Sequence, residues 1–330
     1  MMTREPAQPA DVQEPLGALT RTLVLCLVAA GGCGRVPDPP GGASREARIR
    51  PDEHSRRPHG GEQTVASLPG SEPDDFPLRV YEPLFPGDGE YRGLGWNDIW
   101  EEPGESFEAY ISGYKWGTAI RSIRIYPLGP TTKRIRSAMV FMKEFLEIAF
   151  SSSVEVMDPL GKPTGAYNSH FDQYDANSVL NGMLFDDGID RSHHLNIAVT
   201  ETDMYAGRLN FVFGYADYVS HVGIVSLARL GGKKEPELFE RRLLKLSRHE
   251  IGHMYGMAHC TSHSCVMRGA NSRSEADSIS LSLCPSCAAK LAYRLGDDGS
   301  ERNKDLERYY RDHFGKFIES MLVSPILRGD

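Results

Sequence analysis

Polar and apolar residues alternate through Arg121-Ser122-Ile123-Arg124-Ile125-Tyr126 and on to Pro127-Leu128, the period of a strand that ends at a proline. The period then changes: Ala138, Phe141, Met142, Phe145, Ile148 and Ala149 recur at three- and four-residue spacing, which predicts a helix with one buried face. A short apolar run at residues 154–157 predicts a second strand. Val179, Leu180, Met183 and Leu184 predict another helix, and residues 195–200 a third strand. Strands and helices alternating in this order imply βαβ crossovers and a largely parallel sheet. Two later extended stretches, residues 210–214 and 223–228, predict hairpin-connected strands. A long helix is expected from about Pro236 to Tyr255, with Leu238, Leu243, Leu244, Leu246, Ile251 and Met254 on its apolar surface.

Ahead of these elements the pattern lapses. From Arg35 to about Asp75 the residues are mostly Pro, Gly, Glu, Arg and Ser, which cannot bury enough apolar surface to offset chain entropy and predict a disordered linker. Earlier still, Arg21 precedes an apolar stretch at residues 22–30, too short to span a bilayer, followed by Gly31-Gly32-Cys33. This arrangement is similar to a signal peptide with a lipoprotein cleavage site, so Cys33 is expected to carry a lipid and tether the protein at the cell envelope. Ordinary secretion and an incidental apolar tail on a cytoplasmic protein are the alternatives. The expected organisation is a signal segment at 1–33, a linker at 34–75 and one catalytic domain at 76–330. Across the 330 residues the formal net charge is -8, and basic clusters such as Lys133-Arg134 are interspersed with acidic residues, so no nucleic-acid partner is expected.

The candidate chemistry is concentrated on the last predicted helix. His249-Glu250-Ile251-Gly252-His253 is an HExxH pattern, in which residues four apart present both imidazoles from one helical face to a single ion. Gly256 and His259 extend it to HExxHxxGxxH: the glycine tolerates the positive φ of a turn, and the turn brings His259 back as a third ligand. Three neutral imidazoles leave the fourth tetrahedral position of a zinc ion for water. Glu250 projects to one side of that ion, placed to act as general base rather than ligand. Glu275 stands where a thermolysin-like third ligand would, but its neighbours do not match that family's motif.

The chain has six cysteines, and four of them, Cys260, Cys265, Cys284 and Cys287, fall within 28 residues. His259 and Cys260 are adjacent and are expected to face two different metals. Four thiolates form a closed, structural zinc site; two disulfides or a redox CxxC pair are the other readings.

The run from His249 to Cys287, HExxHxxGxxHC followed by CxM and a later CxxC, resembles the archaemetzincin signature. Residues 202–205, 210–214 and 223–229 are also similar to that family, and the resemblance covers about residues 120 to 295. It implies an α/β metzincin-type zincin fold with a mixed, mostly parallel sheet, an antiparallel edge strand and the HExxH motif on the active-site helix. It further implies two zinc ions, one catalytic on His249, His253 and His259 with Glu250 as base, one structural on the four cysteines, and Met267 in a turn beneath the catalytic site. The expected activity is hydrolysis of a peptide or protein substrate, with residues 223–229 as the sheet edge that receives it and aminopeptidase-like cleavage within the family's range. A two-zinc scaffold that binds peptides without cleaving them is the alternative. Residues 76 to 117 lie outside the resemblance.

Overall fold

In the computed structural model the described residues are 82–323, apart from 89, 114–118, 187, 218 and 233. The expected signal segment, the linker and Cys33 lie outside them. Among the described residues no helix is long and apolar enough to cross a membrane.

The elements follow in the order α1 (Trp96–Ile99), α2 (Phe107–Gly113), β1 (Ser122–Pro127), α3 (Lys133–Ala149), β2 (Ser153–Val156), β3 (Tyr167–Asn168), β4 (Gln173–Asp175), α4 (Ala176–Leu184), β5 (His194–Thr200), β6 (Asp203–Ala206), β7 (Leu209–Val212), β8 (Gly214–Asp217), β9 (Val222–Ser226), α5 (Pro236–Met254), α6 (Arg273–Ser278), α7 (Pro285–Leu295) and α8 (Ser300–Val323). Local chemistry sets several of these boundaries. The Thr132 hydroxyl accepts from the Ile135 amide and the Asp175 carboxylate from the Asn177 amide, capping α3 and α4, while Pro236 starts α5 where no amide hydrogen is needed.

The main sheet has the order β2-β1-β5-β9-β8. Its first four strands run parallel and β8 pairs antiparallel with β9, as expected of a mixed sheet with one antiparallel edge. The stretch at residues 223–229 is not that edge. Val222–Ser226 lies between β5 and β8, and all five residues are buried; a continuous apolar run suits a strand covered on both faces and flanked on both sides. The edge is β8, and the hairpin partner of β9 is Gly214–Asp217 rather than residues 210–214, because the chain bends at Phe213 and passes its preceding residues to a second sheet. That smaller sheet, β3-β4-β6-β7, is built from strands of two to four residues.

Helix α5 packs against β8, β9 and α3. One core cluster joins the inner face of α3 (Ile135, Met142, Phe145, Leu146), the sheet and α5. The N-terminal segment is part of this body: Phe85 is fully buried against Tyr310 and Phe314 of α8, and Glu82 pairs with the buried Arg248 of α5 at 2.6 Å.

Candidate metal centres

Helix α5 ends at Met254 and the chain turns at Gly256, whose φ of +85° is the left-handed conformation the sequence requires of that glycine. The turn returns His259 to His249 and His253, and one ring nitrogen of each lies within 4.8 Å of the others. All three rings are buried, at 1, 0 and 4 % exposure.

The hydrogen bonds to the far side of each ring settle which nitrogens face inward. His249 Nδ1 lies 2.6 Å from the Val266 carbonyl and His253 Nδ1 2.7 Å from the Met257 carbonyl. Carbonyl oxygens only accept, so both Nδ1 atoms carry the hydrogen. Burial first, then repulsion from His259, pushes His249 down to about 3; burial, then repulsion from His249 and His259, holds His253 well below the usual histidine range. Both rings are therefore neutral, and their Nε2 lone pairs face each other across 3.0 Å. His259 Nδ1 lies 2.9 Å from both oxygens of Glu102, and its Nε2 is buried with no partner in the protein. Converging lone pairs repel one another unless a cation lies between them, and three imidazole nitrogens are the donor set of a zinc site with one open position.

Glu250, between the two helical histidines in sequence, is fully buried. Strand β8 makes room for it: a Cβ on Gly214 would stand 2.3 Å from Glu250 Oε1 and 2.7 Å from its Cδ. Gly252 makes similar room on another side, since a Cβ there would meet Met267 Sδ at 2.4 Å, and Met267 packs against the helix at this point. Glu275 serves a different purpose. Its two oxygens accept from the Trp96 amide at 2.5 Å and the Asn271 amide at 2.7 Å, which fixes the loop and makes it no metal ligand.

The second cluster lies on the other side of the His259-Cys260 step. Cys260, Cys265, Cys284 and Cys287 are all buried free thiols, with their sulfurs within 4.8 Å of one another. Cys260 Sγ and Cys284 Sγ are 3.7 Å apart, far outside a disulfide bond of about 2.05 Å. Cys284 is the N-cap residue of α7 and Cys287 lies in its first turn, so the start of one helix presents both sulfurs. The Cys284 amide donates to Cys265 Sγ at 3.3 Å; hydrogen bonds from the other three cysteines hold Cys260 far below the ordinary thiol range, while burial pushes the Cys265 thiol up and the hydrogen bond with Cys260 pushes Cys287 up, as expected of sulfurs sharing protons. Four such sulfurs around one point fit a closed zinc site.

Sequence reasoning did not single out Glu102, Trp96, Gly214 or Gly252. The glycines offered a weak signal, each standing inside a predicted element where glycine is disfavoured.

Residues 162–293 match the model of peptidase family M54. The archaemetzincin of Pyrococcus furiosus is 32% identical over 184 residues, covering 53% of this chain and 94% of its own length. That of Methanocaldococcus jannaschii is 32% identical over 180 residues, covering 53% of this chain and 95% of its own. The crystal structure of the archaemetzincin from Methanopyrus kandleri is similar with a TM-score of 0.48 at 29% identity, covering 54% of this chain and 96% of that one. Because nearly the whole length of the first two relatives aligns with a chain that also gathers both ligand clusters, the chain belongs to the archaemetzincin family and is a zinc metallopeptidase.

Proposed function

We propose that His249, His253 and His259 hold the catalytic zinc, that Glu250 is the general base of peptide-bond hydrolysis, and that the four cysteines hold a structural zinc. The observation that carries this reading is the convergence of three imidazole nitrogens, two of them neutral lone pairs 3.0 Å apart, with the fully buried Glu250 on the same helix between His249 and His253 in sequence. When bound, zinc supplies a Lewis acid for the scissile carbonyl and lowers the pKa of water to about 7. Glu250 accepts the proton of the attacking water and passes it to the leaving amine. The Val266 and Met257 carbonyls orient His249 and His253 by holding their Nδ1 hydrogens.

Aminopeptidase-like cleavage, which the family resemblance implies, is the finer form of this reading. A library of peptides with free and with blocked N-termini, in graded lengths, tests this with and without a zinc chelator. Cleavage of short, unblocked peptides that stops with chelator is expected. Equal cleavage of long blocked peptides refutes the terminal preference, and chelator-insensitive cleavage refutes the metal mechanism.

Gly214 offers a separate test. A Cβ there overlaps the Glu250 carboxylate, so Gly214→Ala forces the base to move. A displacement of about 1 Å costs on the order of 10²-fold in rate. Cleavage in Gly214→Ala should therefore fall by about that factor while both zinc ions are retained. Wild-type turnover in this variant would show that the Glu250 position seen here is not the working one.

A further inference from the structure

The third histidine differs from the other two in what stands behind it. His249 and His253 rest on carbonyls 17 and 4 residues further on, from the loop that follows their own helix, whereas His259 rests on a carboxylate 157 residues earlier in the chain. That carboxylate, Glu102, belongs to the segment at 95–105, upstream of the residues matched by the family model.

Several independent contacts seat this segment. The Trp96 ring meets His259 edge to face with centroids 5.1 Å apart, and it lies over Gly269, where a Cβ would come 2.5 Å from Trp96 Cδ2. The Trp96 amide donates to Glu275, the Asn97 side-chain amide to the Thr261 carbonyl at 3.0 Å, and Trp100 Nε1 to Asn271 Oδ1 at 2.9 Å. Glu105 takes the buried Lys290 of α7 at 2.9 Å. These partners lie on the loop that carries His259, Cys260 and Cys265, on α6 just beyond it, and on α7, which carries Cys287.

We infer that Glu102 is a positioning residue for the catalytic metal, and that the segment at 95–105 is a built-in part of the site that governs how tightly zinc is retained there. The inference rests on His259 being a ligand. A carboxylate accepting the Nδ1 hydrogen fixes the ring with Nε2 facing the other imidazoles and makes that nitrogen a stronger donor than a carbonyl partner would. Trp96 blocks the rotation that would turn the ring away.

The experiment measures zinc release from the full-length protein by competition with a chromogenic chelator, together with the absorption spectrum after cobalt is substituted at the catalytic site. Loss of such a partner costs about 10- to 100-fold in metal affinity. Glu102→Ala should release the catalytic zinc faster by that factor and alter the cobalt spectrum, while the cysteine-bound zinc is retained as in wild type. Glu102→Gln, which keeps an acceptor oxygen without the charge, should restore part of the loss. Gly269→Ala, which displaces Trp96 and with it the indole contact to Glu102, should also speed release. Catalytic-zinc release within about two-fold of wild type in Glu102→Ala overturns the inference, as does loss of both zinc ions together, which would mark a general loss of folding. His259→Ala separates the two levels of the argument. If it leaves two zinc ions per chain, the ligand assignment itself fails; if it leaves one while Glu102→Ala behaves as wild type, only the role of Glu102 fails.

Discussion

Cys284→Ser is expected to cost the protein one zinc per chain and most of its folding stability. The four buried sulfurs tie the loop after α5 to the first turn of α7, and the same loop carries His259 and Met267. Structural zinc in thiolate sites contributes on the order of 10 kcal/mol or more of folding free energy in zinc-finger peptides, about the whole stability of an ordinary domain. Three remaining thiols and a serine bind far more weakly, so the variant should unfold at a much lower temperature or accumulate as aggregate. The serine also deprives the neighbouring catalytic site of its support, so the second zinc should be held less firmly. The measurement is zinc content by elemental analysis with thermal unfolding of the purified protein. Two zinc ions per chain and an unchanged unfolding temperature in Cys284→Ser would show that Cys284 is no ligand of the second zinc, and thiol titration finding two disulfides in the wild type would assign the cysteines the other role.

The parts of the site that were legible in the sequence are those whose geometry is local. His249, His253 and His259 span eleven residues of helix and turn, so their spacing alone brings them together, and Gly256 marks where the turn must come. The cysteines were legible for the same reason: two flank the start of a helix and two lie in one loop. The parallel strands β1 and β5 and the helices α3 and α5 followed from hydrophobic periods long enough to count.

What was not legible depends on long-range packing. Glu102 lies in an irregular segment with no period, and nothing near it in sequence indicates that a histidine 157 residues later will come to rest on it. Gly214 is required by the side chain of one residue on another element, Glu250, which no pattern within β8 reveals. The strands of the smaller sheet, two to four residues each, are too short for alternation to register. The placing of the sheet edge at residues 223–229 came from family resemblance rather than from the apolar pattern, and the unbroken run Val222-Gly223-Ile224-Val225 was itself the sign of an interior strand.

The second large effect is expected at Glu250. The carboxylate is fully buried against Gly214 of β8 and belongs to neither ligand cluster, so Glu250→Gln should keep the fold and both zinc ions. The amide has no proton affinity to speak of at neutral pH, and loss of a general base costs roughly 10²- to 10⁴-fold in rate. His253→Ala should behave differently, because it removes a ligand: one zinc per chain should remain, on the cysteines, with no cleavage. The most direct test of the account is therefore the rate of cleavage of the best library peptide by Glu250→Gln, read beside its zinc content. The expected result is two zinc ions per chain with a rate at least about 10² below wild type; two zinc ions per chain with the wild-type rate would contradict Glu250 as general base.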